Sequence, residues 1–317
     1  MMDPMAPTIL LFTPTRVLAE FLLVSNKTLG KRVISKALVL VEITNYIQSL
    51  QRQVEFLSMK LEAVNARETT DGYPSKDGPN LGMAKGDDVQ LLGSWASPYS
   101  NRVHMALNLK SIDFEFIEEN YYSNKSDRLL KANPVHRKIP VLIHHEKPVC
   151  ESLLIIQYID EVWNTNGPKI LPSDPYDRAM ARFWAAYIDD TWFPLFIELF
   201  KTPESGGDEA RATILAKISE GVALLEEAFG KCSQGKDYFG GDSIGYMDVV
   251  LGSYLSWVKV TQTVYSVKLV DESKAPGLAA WAERFISHEA AKDVVPDVQK
   301  LVQFFMMVRA ATSSSSD

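Results

Sequence analysis

A chain of 317 residues, 46% hydrophobic and 23% charged, has the composition of a soluble globular protein and the length of about two domains. Its net charge of -7 excludes a broadly basic nucleic-acid footprint. The two cysteines, Cys150 and Cys232, form no CxxC pair and join no Cys/His cluster at ligand spacing, which excludes a disulfide framework and a zinc site.

At the start of the chain, the apolar stretches Thr8–Thr13 and Val17–Val24 are split by Pro14 and Arg16 and interrupted by Glu20. Neither reaches the roughly 18 residues that a membrane span requires. No basic residue precedes Ile9 and no small-residue cleavage site follows, so a secretory signal is not expected. Residues 1–34 read as a poorly structured leader, and the cytosol is the expected location.

Leu40, Ile43, Ile47, Leu50, Val54, Leu57 and Leu61 then recur at alternating spacings of three and four, the seam of an amphipathic, coiled-coil-like helix over 35–65. Its wording, SKALVLVEITNYIQSLQRQVEFLSMKLEAVN, resembles the loop end and second helix of plant basic helix-loop-helix transcription factors. The basic first helix of that family is missing: residues 1–30 carry only Arg16 and Lys27 as basic side chains, against Asp3 and Glu20. Neutralising DNA phosphates requires a cluster of cations, so DNA binding is not expected. Two accounts remain: a helix-loop-helix dimerisation module, or a fused or mis-joined gene product, with Met83-Ala84-Lys85 as a second initiator-like run. Residues 66–87, rich in Gly, Pro, Asp and Lys, read as a flexible linker.

Residues 88–166 alternate short apolar strands with helical runs. Val89–Gly93 reads as a strand, followed by the SWASPYS turn and a helix over Asn101–Leu109. A strand at Phe114–Glu118, a polar stretch to Ala132, a strand at Ile139–Ile143, a turn over His144–Lys147, a strand at Pro148–Cys150 and a helix over Ser152–Trp163 complete a thioredoxin-like α/β order. From Tyr176 the apolar positions Met180, Phe183, Trp184, Tyr187 and Ile188, then Ile214, Ile218, Val222 and Leu225, keep helical spacing, which predicts an all-α domain over 173–310 and a short disordered tail at 311–317.

Three runs carry the chemistry: Ser97-Pro98-Tyr99, Lys138-Ile139-Pro140-Val141 and Glu151-Ser152. Taken singly, each has a structural reading. Ser97 and Ser152 suit helix N-caps, Pro140 suits a strand edge, and Lys125 and Lys138 suit a solvated surface. His144-His145 looks like a metal pair, but adjacent side chains on a turn point apart and no third ligand follows at a suitable spacing, so no metal is expected. Cys150 reads as a small buried hydrophobe.

Together, LLGSWASPYSNRV, NPVHRKIPVLIHHEKPVCESL, SDPYDRAMARFWAAYIDD and YFGGDSIGYMDVVLG make residues 83–317 resemble a plant tau-class glutathione transferase. The resemblance implies a thioredoxin-like N-terminal domain and an all-α C-terminal domain. It implies conjugation of glutathione, a co-substrate, to hydrophobic electrophiles, with peroxidase side activity, in a homodimer that needs no cofactor. A non-catalytic carrier of hydrophobic ligands is the alternative. The resemblance gives Ser97 the role of hydrogen-bond donor to the glutathione sulfur and Pro140 that of a cis proline exposing the backbone of Ile139 to the cysteinyl part. Glu151 and Ser152 would meet the γ-glutamyl end, and Lys125 and Lys138 the glycyl carboxylate. Asp248 would cap a central helix, with Gly245 standing where many relatives carry Ser or Thr. Tyr99, Phe193, Ile197 and Trp257 would line the electrophile pocket. Some tau relatives have a tyrosine and an arginine where Phe193 and Ile197 stand, so a greasier pocket is expected.

Overall fold

A computed structural model of the protein describes residues 88–119, 125–202 and 207–313, with side chains up to 309. The leader, the helix-loop-helix-like segment and the linker read from the sequence lie outside the described residues, as do residues 314–317 of the expected tail; residues 311–313, read as part of that disordered tail, instead continue the last helix.

Residues Val89–Gly93 (β1), Glu115–Glu118 (β2), Val141–His144 (β3) and Lys147–Cys150 (β4) form one sheet in the order β2-β1-β3-β4. β1 pairs parallel with β2 and antiparallel with β3, which pairs antiparallel with β4. β1 lies inside the sheet with both edges paired, and packed helices cover both of its faces. Successive residues point to opposite faces, so Leu91 joins Val103, Leu107, Ile155 and Ile159 on one side while Leu92 joins Leu129 and Val141 on the other. The helices that cover these faces are Pro98–Leu109 (α1), Asp127–Ala132 (α2) and Ser152–Val162 (α3). The arrangement is thioredoxin-like.

Local chemistry explains where these helices start. α1 begins with Ser97 at the N-cap in an extended conformation and Pro98 at the first turn, where a missing N–H costs nothing. Ser126 caps α2 by accepting from Leu129 N at 3.0 Å.

The helical half follows a tied-down connection. Lys110, fully buried at the end of α1, pairs with Asp160 at 2.7 Å and donates to Pro168 O at 2.8 Å. The same carboxylate accepts from Ile170 N and Leu171 N at 2.9 and 3.0 Å. One buried charge pair thus orders the connection out of the first half. The helices beyond it are Pro175–Tyr187 (α4), Phe193–Lys201 (α5), Asp208–Ser233 (α6), Tyr246–Gly252 (α7), Leu255–Tyr265 (α8), Pro276–Ser287 (α9) and Val298–Ser313 (α10). A π-helical turn, Ile188–Trp192, joins α4 to α5. Trp192 is buried against α6, donating from its indole N–H to Ile218 O at 3.1 Å. A Cβ at Gly221 would lie 2.2 Å from the Trp192 ring, so α6 approaches that closely only without a side chain there. The expected thioredoxin-like and helical halves are both present.

Candidate active site

Ser97 is buried between the end of β1 and the first turn of α1. Its Oγ accepts from Ser100 N at 3.3 Å. With a lone pair committed to that N–H, the hydroxyl proton is directed away from the helix and can be donated to a ligand atom. The neighbouring amides and the helix N-terminus favour negative charge at this point.

Tyr99, two residues on, has its ring edge-on to Phe193 and Tyr254, with centroids 6.5 and 6.0 Å away. Burial pushes its phenol up from the usual tyrosine range, so the hydroxyl stays protonated near neutrality. Beneath it sits Arg102, whose side chain is fully buried and bidentate to Asp189 of the π turn at 2.7 and 2.9 Å. Tyr254 OH donates to Asp189 Oδ1 at 2.9 Å, and Arg102 reaches Ser152 Oγ at 3.4 Å. The Arg102 guanidinium also lies 5.1 and 5.2 Å from the Tyr99 and Tyr254 ring centres. Burial opposes its charge, but Tyr254 and Asp189 outweigh burial and the net direction is upward. This cluster links the Ser97 helix, the Ser152 helix and the helical half.

Ser152 is buried as the first residue of α3. Glu151 precedes it with φ 70 and ψ 109, a conformation that L-residues rarely adopt, and its exposed side chain lies 3.8 Å from His136 Nε2. Backbone held in such a region is a recurrent mark of ligand-binding sites. The Ile139–Pro140 peptide is cis and leads directly into β3. The loop before it is organised by Asn133, whose side chain accepts from His136 N at 3.0 Å and donates to Lys138 O at 2.9 Å. Lys138 and Lys125 both expose their side chains.

On the helical side, Phe193 is only 4% exposed and stacks on Tyr254 with centroids 3.9 Å apart. It therefore backs the site rather than presenting a surface. Ile197, one turn later on α5, is 40% exposed. Trp257 is half-buried on α8 and donates its indole N–H to Ala96 O at 3.0 Å, beside Ser97. Phe200 and Phe305 pack against its ring, at 5.8 and 6.5 Å. From α10, Lys300 lies 4.2 Å over the Trp95 ring and Phe304 meets its edge at 5.4 Å. The structure thus places Tyr99 against Phe193, and Trp257 against the Ser97 turn.

Asp248, fully buried in α7, accepts from Phe239 N, Gly240 N, Gly245 N and Trp281 Nε1 at 2.8–2.9 Å. A Cβ at Gly245 would meet Gly240 Cα at 2.9 Å. The half-formed capping box is therefore matched to a close backbone approach.

Besides Phe193, which was expected to line the electrophile pocket, two expectations change. His144 and His145 do not point apart: their rings stack 4.2 Å centre to centre, because His144 ends β3 with Nδ1 2.8 Å from Tyr158 OH, and the turn falls on His145 and Glu146. Cys150 is half-buried rather than fully buried, and its thiol, raised by burial and then by Glu151, donates to Ala132 O at 3.6 Å. Among the described residues, no three His, Cys, Asp or Glu side chains gather as a metal set would.

Arg102, Asp189, Tyr254 and Asn133 escaped the sequence reading. The signal for the first two was present as charges inside otherwise apolar helical stretches, SNRVHMAL and YIDDTWFPLF. Such charges are rarely buried unless paired.

Comparison with known proteins bears on the fold and the family. Residues 91–167 match the glutathione S-transferase N-terminal domain and residues 208–284 the glutathione S-transferase C-terminal domain. Glutathione S-transferase U17 of Arabidopsis thaliana is 53% identical over 68% of this chain and 94% of its own length. A tau-class glutathione S-transferase from mango, Mangifera indica, superposes with a TM-score of 0.66 at 50% identity, covering 69% of this chain and 98% of that one. A rice glutathione S-transferase solved in complex with glutathione superposes with a TM-score of 0.65 at 33% identity, over 72% and 99%.

Proposed function

This chain belongs to the tau class of the glutathione S-transferases, and from that membership we propose that Ser97 activates the glutathione sulfur for attack on hydrophobic electrophiles. The chemistry is simple to balance. The thiol proton leaves to solvent, the sulfur forms a bond to the electrophilic carbon, and the departing group takes the electron pair of the bond that breaks. Thiolate, not thiol, is the nucleophile, so a group that donates a hydrogen bond to sulfur raises the reactive fraction at neutral pH.

The observation that carries this reading is the Ser97 hydroxyl: buried at a helix N-terminus, with Oγ already accepting from Ser100 N. Around it we assign the backbone of Ile139 beside cis Pro140 to the cysteinyl unit, and Glu151 and Ser152 to the γ-glutamyl end. Lys125 and Lys138 are assigned to the glycyl carboxylate; two exposed cations at a pocket mouth also steer an anionic tripeptide inward. Ile197 and Trp257 supply the apolar surface for the second substrate, with Tyr99 at its edge and Phe193 behind.

Replacing Ser97 tests the assignment. Ser97→Ala should lower kcat/KM for a chlorinated aromatic substrate by roughly 10²-fold, with glutathione affinity retained. Equal turnover removes Ser97 from its role, and ligand binding without Ser97-dependent conversion makes the protein a carrier. The reaction as proposed needs no metal or organic cofactor, takes place in the cytosol and runs in a homodimer. The dimer proposal draws on exposed Tyr176 and Phe183 of α4 and Leu154 of α3.

A further inference from the structure

Four residues, Ser94 to Ser97, turn the chain from β1 into α1, and most of their backbone groups have an identifiable partner. Ser94 N–H donates to Ser100 Oγ at 3.1 Å, and Trp95 N–H to the Glu118 carboxylate at 3.1 Å. Trp95 C=O accepts from Asn101 Nδ2 at 3.2 Å, and Ser97 N–H donates to Ser94 O at 3.0 Å. These partners all belong to the thioredoxin-like half. The Ala96 carbonyl differs: its donor, Trp257 Nε1 at 3.0 Å, comes from α8. Ala96 is fully buried, so water is not at hand to replace that donor.

The Ala96 carbonyl and the Ser97 N–H are two edges of one planar peptide unit. The plane is therefore pinned on one side by Ser94 O and on the other by the indole of Trp257. Its tilt sets the direction in which the Ser97 side chain leaves the backbone. We propose that Trp257 is a positioning residue for thiol activation: by holding the Ala96 carbonyl, its indole N–H aims Ser97 Oγ at the glutathione sulfur. The proposal rests on the assignment of Ser97 made above and gives Trp257 a task separate from presenting apolar surface. A plane tilt of about 20° moves Oγ by most of 1 Å, and misplacement on the order of 1 Å can cost roughly 10²-fold in an oriented reaction. Phe200 and Phe305 hold the Trp257 ring by packing, so the N–H can be removed while the ring keeps its neighbours.

Two variants of the full chain separate aiming from packing. Trp257→Phe removes the donor and part of the ring, whereas 3-benzothienylalanine at 257 replaces the indole N–H by sulfur and retains the bicyclic shape. The readout is the ultraviolet absorbance of the bound glutathione thiolate, titrated against pH. Both variants should shift that titration upward by about 1 pH unit, a tenfold loss of thiolate below it. The kcat/KM at pH 6.5 should fall about tenfold, recovering above the new titration point. A role confined to satisfying the buried carbonyl would lower the melting temperature and leave the titration in place. A benzothienylalanine variant that titrates like the parent overturns the proposal, whatever its melting temperature. Ser97→Ala is run alongside: if it leaves the titration unchanged, the Ser97 assignment itself fails. If it moves the titration and the Trp257 variants do not, only the positioning role falls.

Discussion

Asp248 shows at the residue scale how burial and hydrogen bonding compete. Its carboxylate receives four N–H donors, yet complete burial pushes it from 3.8 up to about 6. A folded-state value above the unfolded one means that the native protein binds more protons between those two limits. This group's contribution to stability is thus fully present below about pH 3.8 and is lost as pH rises through about 6. The swing is on the order of 3 kcal/mol. Denaturant unfolding of the parent and of Asp248→Asn at pH 4.5 and 6.5 should therefore differ in pH slope, the parent losing stability relative to the variant as pH rises. The variant should be the weaker protein by about 2 kcal/mol at pH 4.5, because the Asn amide group cannot accept from all four donors, and that gap should narrow toward zero at pH 6.5. Asp248 was legible in the sequence from its place after DSIGYM. The close approach of Gly240 and Gly245 was not, since it is set by a backbone path that no single residue type reveals.

Among the elements, the π turn Ile188–Trp192 matters most. The wider turn brings Asp189 to Arg102 of α1, and the pair joins the Ser97 helix to the helical half. Helical apolar spacing was read up to Ile188, the first residue of the turn, and resumed only at Ile214, so the helix Phe193–Lys201 beyond the turn was not singled out from the sequence. The pairing stayed hidden because the two residues lie 87 positions apart. Asp189→Asn leaves a guanidinium buried without its countercharge and should lower the unfolding free energy by about 3 kcal/mol. Combining it with Arg102→Met, which removes the stranded charge, should recover much of the loss in the same denaturation measurement. If the single and double variants were equally unstable, the cost would lie in lost packing. The runs around Ser97, Pro140 and Glu151-Ser152 do sit at element boundaries, but taken singly each suited a structural role, and the family resemblance rather than local residue type singled them out. The apolar wall was harder: Phe193, Ile197 and Trp257 share one chemical character, and only the fold separates buried Phe193 from exposed Ile197.

For the whole molecule, the question is which surfaces remain for self-association. Tyr176 and Phe183 on α4 are 71% and 56% exposed, well beyond the usual degree for aromatic side chains. In the proposed homodimer these rings are covered, so Phe183→Glu should move the protein in sedimentation analysis toward the protomer mass. An unchanged dimer mass would place the interface elsewhere. The sheet offers no competing route. Its edge strand β2 begins and ends in exposed Glu115 and Glu118, and the opposite edge, β4, begins with exposed Lys147 and Pro148, the latter without an amide proton to lend. Both edges thus resist the addition of another strand, which would otherwise invite open-ended stacking. What this favours is a closed assembly through helix faces, so crowding such subunits together should yield counted particles rather than fibres.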